Sequence, residues 1–465
     1  MTRSDLATKE IAVPTAPPVS RAPTRPYLFP RAAGSGKRLK ILFLSHYFPP
    51  EVNAPASRTY EHCRRWAEAG HDVTVLTCNP NCPDGVLFPG YRNRVRVQRE
   101  VVDGIRVVRM WTFLAANAGT VKRVANYISF LCSAVLAAPG LDRPDVVVAT
   151  SPQFFCGWAG VAVARLKRVP LVLEIRDIWP ESIVATGAMG KTPFLLGLVQ
   201  RMADRMYRSA DRIVAVGDGY RSHILATVPD LADLTEVITN GVDLRFFSPE
   251  REGERPTAAE LRQRWNLGDR FVCAYVGTIG MAHRLEVTLE AARLLKAKGR
   301  RDIVFLNVGD GAERKRLETD VAAAGLVDWV VFTGRQPKEM MPPILAMADA
   351  CLVHLRKCDL FTSVIPSKIF ETMAMGRPMV MGVEGQARDL VIGAGAGIAM
   401  EPESAESLVA AVEALADDAA LRARLGDAGR GFVAHHYDRD DLARRYLDVL
   451  TEVVAAKRRA VADVR

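Results

Sequence analysis

No G-x-G-x-x-G follows the first strand-like run of this 465-residue chain, Leu39 to Ser45. The next residues read HYFPPEVNAPAS, which excludes the usual dinucleotide-binding turn. GSGKR at 34–38 lacks the upstream glycine of a phosphate loop and precedes the first strand, so it is not one. No signal peptide is visible. Residues 1–37 are rich in Pro, Ala, Thr and Ser without an apolar core and read as a disordered leader. The longest apolar run, Tyr127 to Pro139, falls short of the about 20 residues that span a bilayer. It reads as a buried helix, with a helix lying against a membrane as the alternative. Cys78 and Cys82 have no second ligand pair nearby, which argues against zinc, and no metal is expected. The eight cysteines are scattered, and Cys132, Cys156, Cys273 and Cys351 sit in apolar runs. That is the habit of reduced, buried thiols in a cytosolic protein rather than of a disulfide framework. The basic residues form no arm and carry no nucleic-acid motif, so nucleic acid is not an expected partner.

What is present is a net charge of +9, 49% hydrophobic residues and 25% charged ones. This suits a soluble protein with a large core and anionic partners, either phosphorylated substrates or an acidic membrane surface. From Leu39 onward, apolar β-rich runs alternate with helical patterns: LKILFLS, DVTVLT, DVVVAT, PLVLEI and RIVAVG, then FVCAYVG, DIVFLNVG, VVFTG, ACLVHL and PMVMG. The first helix reads from about Ser57 to Ala69, with Gly70 as its stop, and alternation of this kind predicts parallel sheets. The expectation is an α/β protein of two doubly wound, Rossmann-like domains facing across a cleft. The boundaries read as 38–245 and 270–438, joined by a polar linker at 246–269. A final amphipathic helix in 439–465 is expected to pack back across the junction.

The stretch SVIPSKIFETMAMGRP (Ser363–Pro378) reads as a short helix with Pro366 at its start and Gly376 just past its end. Lys368 in the first turn opposes the helix dipole. An anion between the lysine and the helix N–H groups explains it, and so does a plain surface pair with Glu371 one turn on. Three more strand ends carry glycine and polar groups where a doubly wound sheet binds ligands: VGTIG at 276–280, VGDGAERKRLE at 308–318 and TGRQPKE at 333–339. EIRDIWPES at 174–182 opens at a strand end and carries three acids, an arginine and a tryptophan; a buried ion-pair cluster explains it equally well. HYDRDD at 436–441 reads as helix capping. Arg92, Arg94 and Arg96 alternate onto one face of a possible strand, open to anionic lipid or to solvent.

Taken in order, these pieces resemble the GT-B glycosyltransferases of glycosyltransferase family 4. They are ILFLSHYFPPEVNAPASRTYEHCRRWAEAGHDVTVLT, EIRDIWPES, ITNGVDLRFFSP, YVGTIGMAHRLE, VGDGAERKRLE, FTGRQPKEMMPPILAMADACLV and IPSKIFETMAMGRPMV. DIWPES and PSK resemble the branch that includes L-fucosamine-type transferases of bacterial surface polysaccharide assembly. The resemblance implies a hexosyltransferase, retaining, using a nucleoside diphosphate sugar, of which a UDP-sugar is expected. The acceptor it implies is a saccharide or a lipid-diphosphate-linked saccharide, reached at the inner face of the cytoplasmic membrane. It further implies donor contacts from Gly277, Arg284, Gly309, Asp310, Arg335, Ser367, Lys368 and Glu371. Catalytic roles fall to Arg176, Asp177 and Lys368, and His46, Glu51, Asn53 and Glu181 are expected to line the acceptor cleft. This chain departs from the family where Ser363 replaces the first glutamate of Glu-x7-Glu, and where Arg176-Asp177 replaces a His-Asp pair. Arg284 is the stand-in for an Arg…Lys pair after the first strand of the second domain. An epimerase or phosphorylase on the same fold, and a non-catalytic nucleotide-sugar scaffold, are the competing readings.

Overall fold

Near-continuous apolar strands, buried on both faces, build two sheets in a computed structural model that describes residues 38–115, 120–179, 193–249, 256–358, 361–362 and 365–462. The leader at 1–37, Glu181 and Ser363 lie outside the described residues. The first sheet contains β1 (Lys40–Leu44), β2 (Asp72–Cys78), β3 (Gln98–Val102), β4 (Ile105–Met110), β5 (Val146–Ser151), β6 (Leu171–Ile175), β7 (Arg212–Ala215) and β8 (Thr235–Val237). Their order is β3-β4-β2-β1-β5-β6-β7-β8, parallel except where β3 runs antiparallel to β4. The second contains β9 (Phe271–Val276), β10 (Ile303–Val308), β11 (Val330–Gly334), β12 (Ala350–His354), β13 (Met379–Gly382) and β14 (Gly397–Ala399). It is wholly parallel, in the order β11-β10-β9-β12-β13-β14. The chain order reverses between β1 and β5, and again between β9 and β12. Crevices for ligands open at such points, beyond the carboxyl ends of the strands.

The chain returns from the second sheet to the first through a parallel bridge between Val242 and Asp438. Asp438 accepts from the N–H of Asp440 at 3.0 Å where the final helix, Arg439–Ala462, begins. Leu442, Tyr446, Leu450 and Val453 of that helix join Phe43, Trp66 and Val148 in the first domain's core. Trp66 donates its indole N–H to Ala443 O at 2.9 Å.

Four expectations need correction. The helix after β1 runs Ala54–Glu68 rather than starting near Ser57, because Asn53 caps it and accepts from Ala56 N–H at 2.9 Å. The helix after β12 starts at Lys368, with Ser367 as its N-cap, two residues later than Pro366 suggests. Arg92, Arg94 and Arg96 lie exposed on a loop ahead of β3, because the ladder with β4 begins only at Gln98. The fourth concerns Tyr127–Pro139. It belongs to a helix, Thr120–Ala137, and Val121–Gly140 is long and apolar enough, by length and composition alone, to cross a membrane. Only a stripe through Asn126, Phe130 and Ala134 is buried, while Val121, Val124, Ile128, Cys132 and Leu136 are exposed. A helix lying on one face of a sheet turns only one such stripe toward the core. The remaining thiols of that group, Cys156, Cys273 and Cys351, are buried, and all eight cysteines are free.

Candidate functional site

The site grows from the ends of β9 and β12. Gly277 directly follows β9, and the helix Lys368–Ala374 is the next one after β12. The Lys368 ammonium rests 4.0 Å from the centroid of the Tyr275 ring. It occupies space that only a glycine leaves open, since a Cβ on Gly277 would come within 2.7 Å of Nζ. Among the described residues no carboxylate lies within ion-pairing distance of Lys368, and Glu371 is no exception. Burial pushes the lysine down to about 8, with the Glu371 charge working against that shift. Burial likewise raises Glu371, opposed by Arg439, Lys338 and Lys368.

Glu371 and Ser367 open onto a cavity of about 230 Å³ that the two domains share; Arg58, Glu61, Lys338 and Arg439 also line it. Lys338 stands 5.5 Å from the Phe246 ring centroid, and Arg439 donates Nε–H to Gly241 O at 2.9 Å. This is a wall rich in positive charge with one carboxylate, Glu371, set into it from the second domain.

The glycine turns beside it are laced together. Gly277 N–H donates to Val308 O at 2.9 Å, Gly309 N–H to Gly334 O at 3.1 Å, and Ile279 N–H to Asp310 O at 3.0 Å. Gly309 sits so close that a Cβ there would fall 1.8 Å from Gly277 O, and its φ of +142° also calls for glycine. Asp310 and Arg335 are exposed at this edge. Arg284 pairs with Glu403, 3.4 Å from Nε, so a donor would have to compete for it.

On the first domain, Arg176 and Asp177 follow β6. Burial lifts Asp177 to about 6, against the pull of Arg176. Burial lowers Arg176 to about 10, and its guanidinium donates to Pro55 O at 3.3 Å. His46 is buried among Tyr47, Tyr127 and Phe130, which holds it at about 4 and so neutral. Glu51 is buried as well, accepting from the N–H groups of Phe48, Asn81 and Cys82. It braces the loop rather than facing the cleft, and Asn53 is occupied in capping. Among the described residues, three buried polar atoms at this edge have no partner: His46 Nδ1, Ser151 Oγ and Trp179 Nε1.

Tyr275, Lys338, Arg439 and Arg58 are the residues of this region that sequence reasoning missed. All four lie inside stretches already singled out in the sequence. Tyr275 reads as one more apolar strand position, so nothing local marks it.

Two family models match consecutive parts of the chain: a glycosyl transferase 4-like domain over residues 53–241 and glycosyl transferases group 1 over 258–452. The chain is 26% identical over 422 residues to the colanic acid biosynthesis glycosyl transferase WcaI of Escherichia coli (strain K12), covering 88% of this chain and 99% of that one. It is 32% identical over 292 residues to the alpha-D-kanosaminyltransferase of Streptomyces kanamyceticus, covering 62% of this chain and 72% of that one. Anabaena Alr3699/HepE, solved in complex with UDP-glucose, superposes with a TM-score of 0.62 at 18% identity, covering 89% of this chain and all of that one. Two facing Rossmann-like sheets with these relatives make the fold GT-B, and the chain belongs to the group 1 glycosyltransferases.

Proposed function

We propose that this glycosyltransferase moves a hexosyl or amino-deoxyhexosyl residue from a UDP-sugar, with retention, to a saccharide or lipid-linked saccharide acceptor in cell-surface polysaccharide synthesis. The observation that carries the reading is the unneutralised Lys368 ammonium beside Gly277, with Glu371 one turn away. Departure of UDP builds negative charge on the diphosphate, and a preorganised cation aimed at that charge is what the step requires. Lys368 fills that role in place of a metal, and the N–H groups of Gly277 and Ile279 mark the turn the phosphates would approach. Glu371 would accept from the ribose hydroxyls. Asp177 would face the cation-like sugar, and the acceptor would enter along the first domain, where the orphaned atoms of His46, Ser151 and Trp179 await hydroxyl partners. The relatives lend support: HepE is crystallised with UDP-glucose, and the kanosaminyltransferase is named for an amino sugar.

A thermal-shift panel of nucleoside diphosphate sugars tests this. A donor at 100 times its Kd adds about 2.7 kcal/mol. The expected result is a shift with a UDP-sugar that Lys368→Ala and Glu371→Ala abolish. No shift with any member, or wild-type turnover in Lys368→Ala, overturns the reading.

The reading also puts the protein on the cytoplasmic face of the membrane as a peripheral enzyme. Supporting it, Val121 and Leu136 are 82% and 80% exposed on a helix without acidic residues in its first turn, Lys122 and Arg123 stand near its start, and Trp111 and Phe113 lie exposed beside it. Flotation with phosphatidylcholine vesicles, with and without phosphatidylglycerol, checks this. Binding that requires the anionic lipid and fails in Val121→Asp/Leu136→Asp is expected, and no flotation with either vesicle refutes it.

A further inference from the structure

Lys368 is placed badly in three respects at once. It opens a helix whose dipole repels it, it is largely out of water, and among the described residues it has no hydrogen-bond or ion-pair partner. One favourable contact is present: the face of Tyr275, 4.0 Å from Nζ. Cations this close to a phenol ring are attracted by its quadrupole, and more strongly when desolvated.

The ring itself is held firmly. Tyr275 is 1% exposed, at the last buried position of β9, and its hydroxyl donates to Thr278 O at 2.7 Å. The edge of His283 packs against it, 5.9 Å between centroids. The His283 carbonyl is in turn bonded to the His354 ring at 2.7 Å. The phenol therefore ties the Gly277–Thr278 turn to its own strand, and its face meets the Lys368 ammonium beside Gly277.

We infer that Tyr275 is a positioning residue for Lys368: its ring holds the ammonium at the Gly277 turn in the empty site and stays against it when the donor diphosphate meets the ammonium's open side, so the cation is placed before the anion arrives. A carboxylate in the same position would hold the lysine by charge and compete with that anion. A neutral π-face stabilises the cation without competing. This rests on the donor-site reading above and adds to it the residue that keeps the lysine available.

Two measurements test it. The first needs no ligand. In protein labelled at lysine Cε with ¹³C, the Lys368 methylene, assigned by its loss in Lys368→Arg, should resonate upfield through the ring current of Tyr275. The shift should remain in Tyr275→Phe and vanish in Tyr275→Leu. An unshifted Lys368 signal in the wild-type protein overturns the inference even if Tyr275→Leu does not fold.

The second is a double-mutant cycle on binding, with UDP and inorganic pyrophosphate as probes. Tyr275→Leu should weaken both about tenfold, while Tyr275→Phe stays within about threefold. In a Lys368→Ala background the leucine substitution should change binding by less than about twofold. An equal loss in both backgrounds makes the ring mere packing and sinks the inference, leaving the donor site intact. Failure of the wild-type protein to bind either probe removes the donor site itself, and with it any anion for the lysine to meet.

Discussion

Arg58 Nε and Glu174 Oε2 lie 3.0 Å apart in an ion pair almost wholly out of solvent, with side chains 5% and 0% exposed. The same guanidinium donates to Ile238 O, Thr239 O and Asn240 Oδ1, and Thr150 donates its hydroxyl to the other carboxylate oxygen. One arginine thus joins the helix after β1, the end of β6 and the segment that leaves the first domain. The acid of EIRDIWPES at its strand end is structural, and the catalytic proposal rests on the two residues after Ile175.

Removing Arg58 leaves a buried carboxylate and three oxygens short of donors. Arg58→Ala is expected to cost about 3–5 kcal/mol. Urea unfolding measures it, and a loss below about 1 kcal/mol would mean the pair is solvated in practice.

Donor binding should weaken at alkaline pH. Lys368 is lowered to about 8 from an unfolded value near 10.5, and the diphosphate needs its charged form. Between those values the unfolded chain holds the proton and the native one does not, so this group makes the empty protein more stable as pH rises. Affinity for UDP moves the other way, falling up to about tenfold per unit above pH 8. Calorimetric titration across pH 7 to 9.5 checks it, and Lys368→Arg should flatten the dependence.

Asp177 carries the opposite sign. Its carboxyl is raised to about 6, so the native state binds a proton between about 4 and 6 that the unfolded state has lost, and this group's contribution to stability falls as pH rises through that window. If the carboxylate is the working form, kcat/KM climbs through pH 6 and the step disappears in Asp177→Asn. A profile with the same inflection in that variant assigns the titration elsewhere.

Gly309→Ala drives a Cβ to within 1.8 Å of the Gly277 carbonyl. The two turns must part, at a cost of about 1–3 kcal/mol in backbone strain alone. Loss of UDP binding at a temperature where the variant is still folded, read by circular dichroism, is the expected outcome. Unchanged binding would show that the turns act independently.

The β/α rhythm was legible because each strand is a short apolar run closed by glycine or polar residues, and such patterns need no distant partner. Lys368 stood out for the same reason, as a local conflict with the helix dipole. The bonds of Glu51 and Asn53 were not legible, because a polar loop residue reads alike whether it faces a ligand or braces its own backbone. The N–H groups that Glu51 satisfies belong to Asn81 and Cys82, on another loop.

The sequence by itself determined the two-sheet architecture and the family, since both follow from periodicity and from motifs contiguous in the chain. Only the tertiary structure decided which faces are covered and what each charge meets. The helix Thr120–Ala137 is apolar on nearly every side, so its sequence could not say which stripe the sheet would take. Likewise Tyr275 and Lys368 belong to different elements, and only the parallel pairing of β9 with β12 brings the ring to the cation.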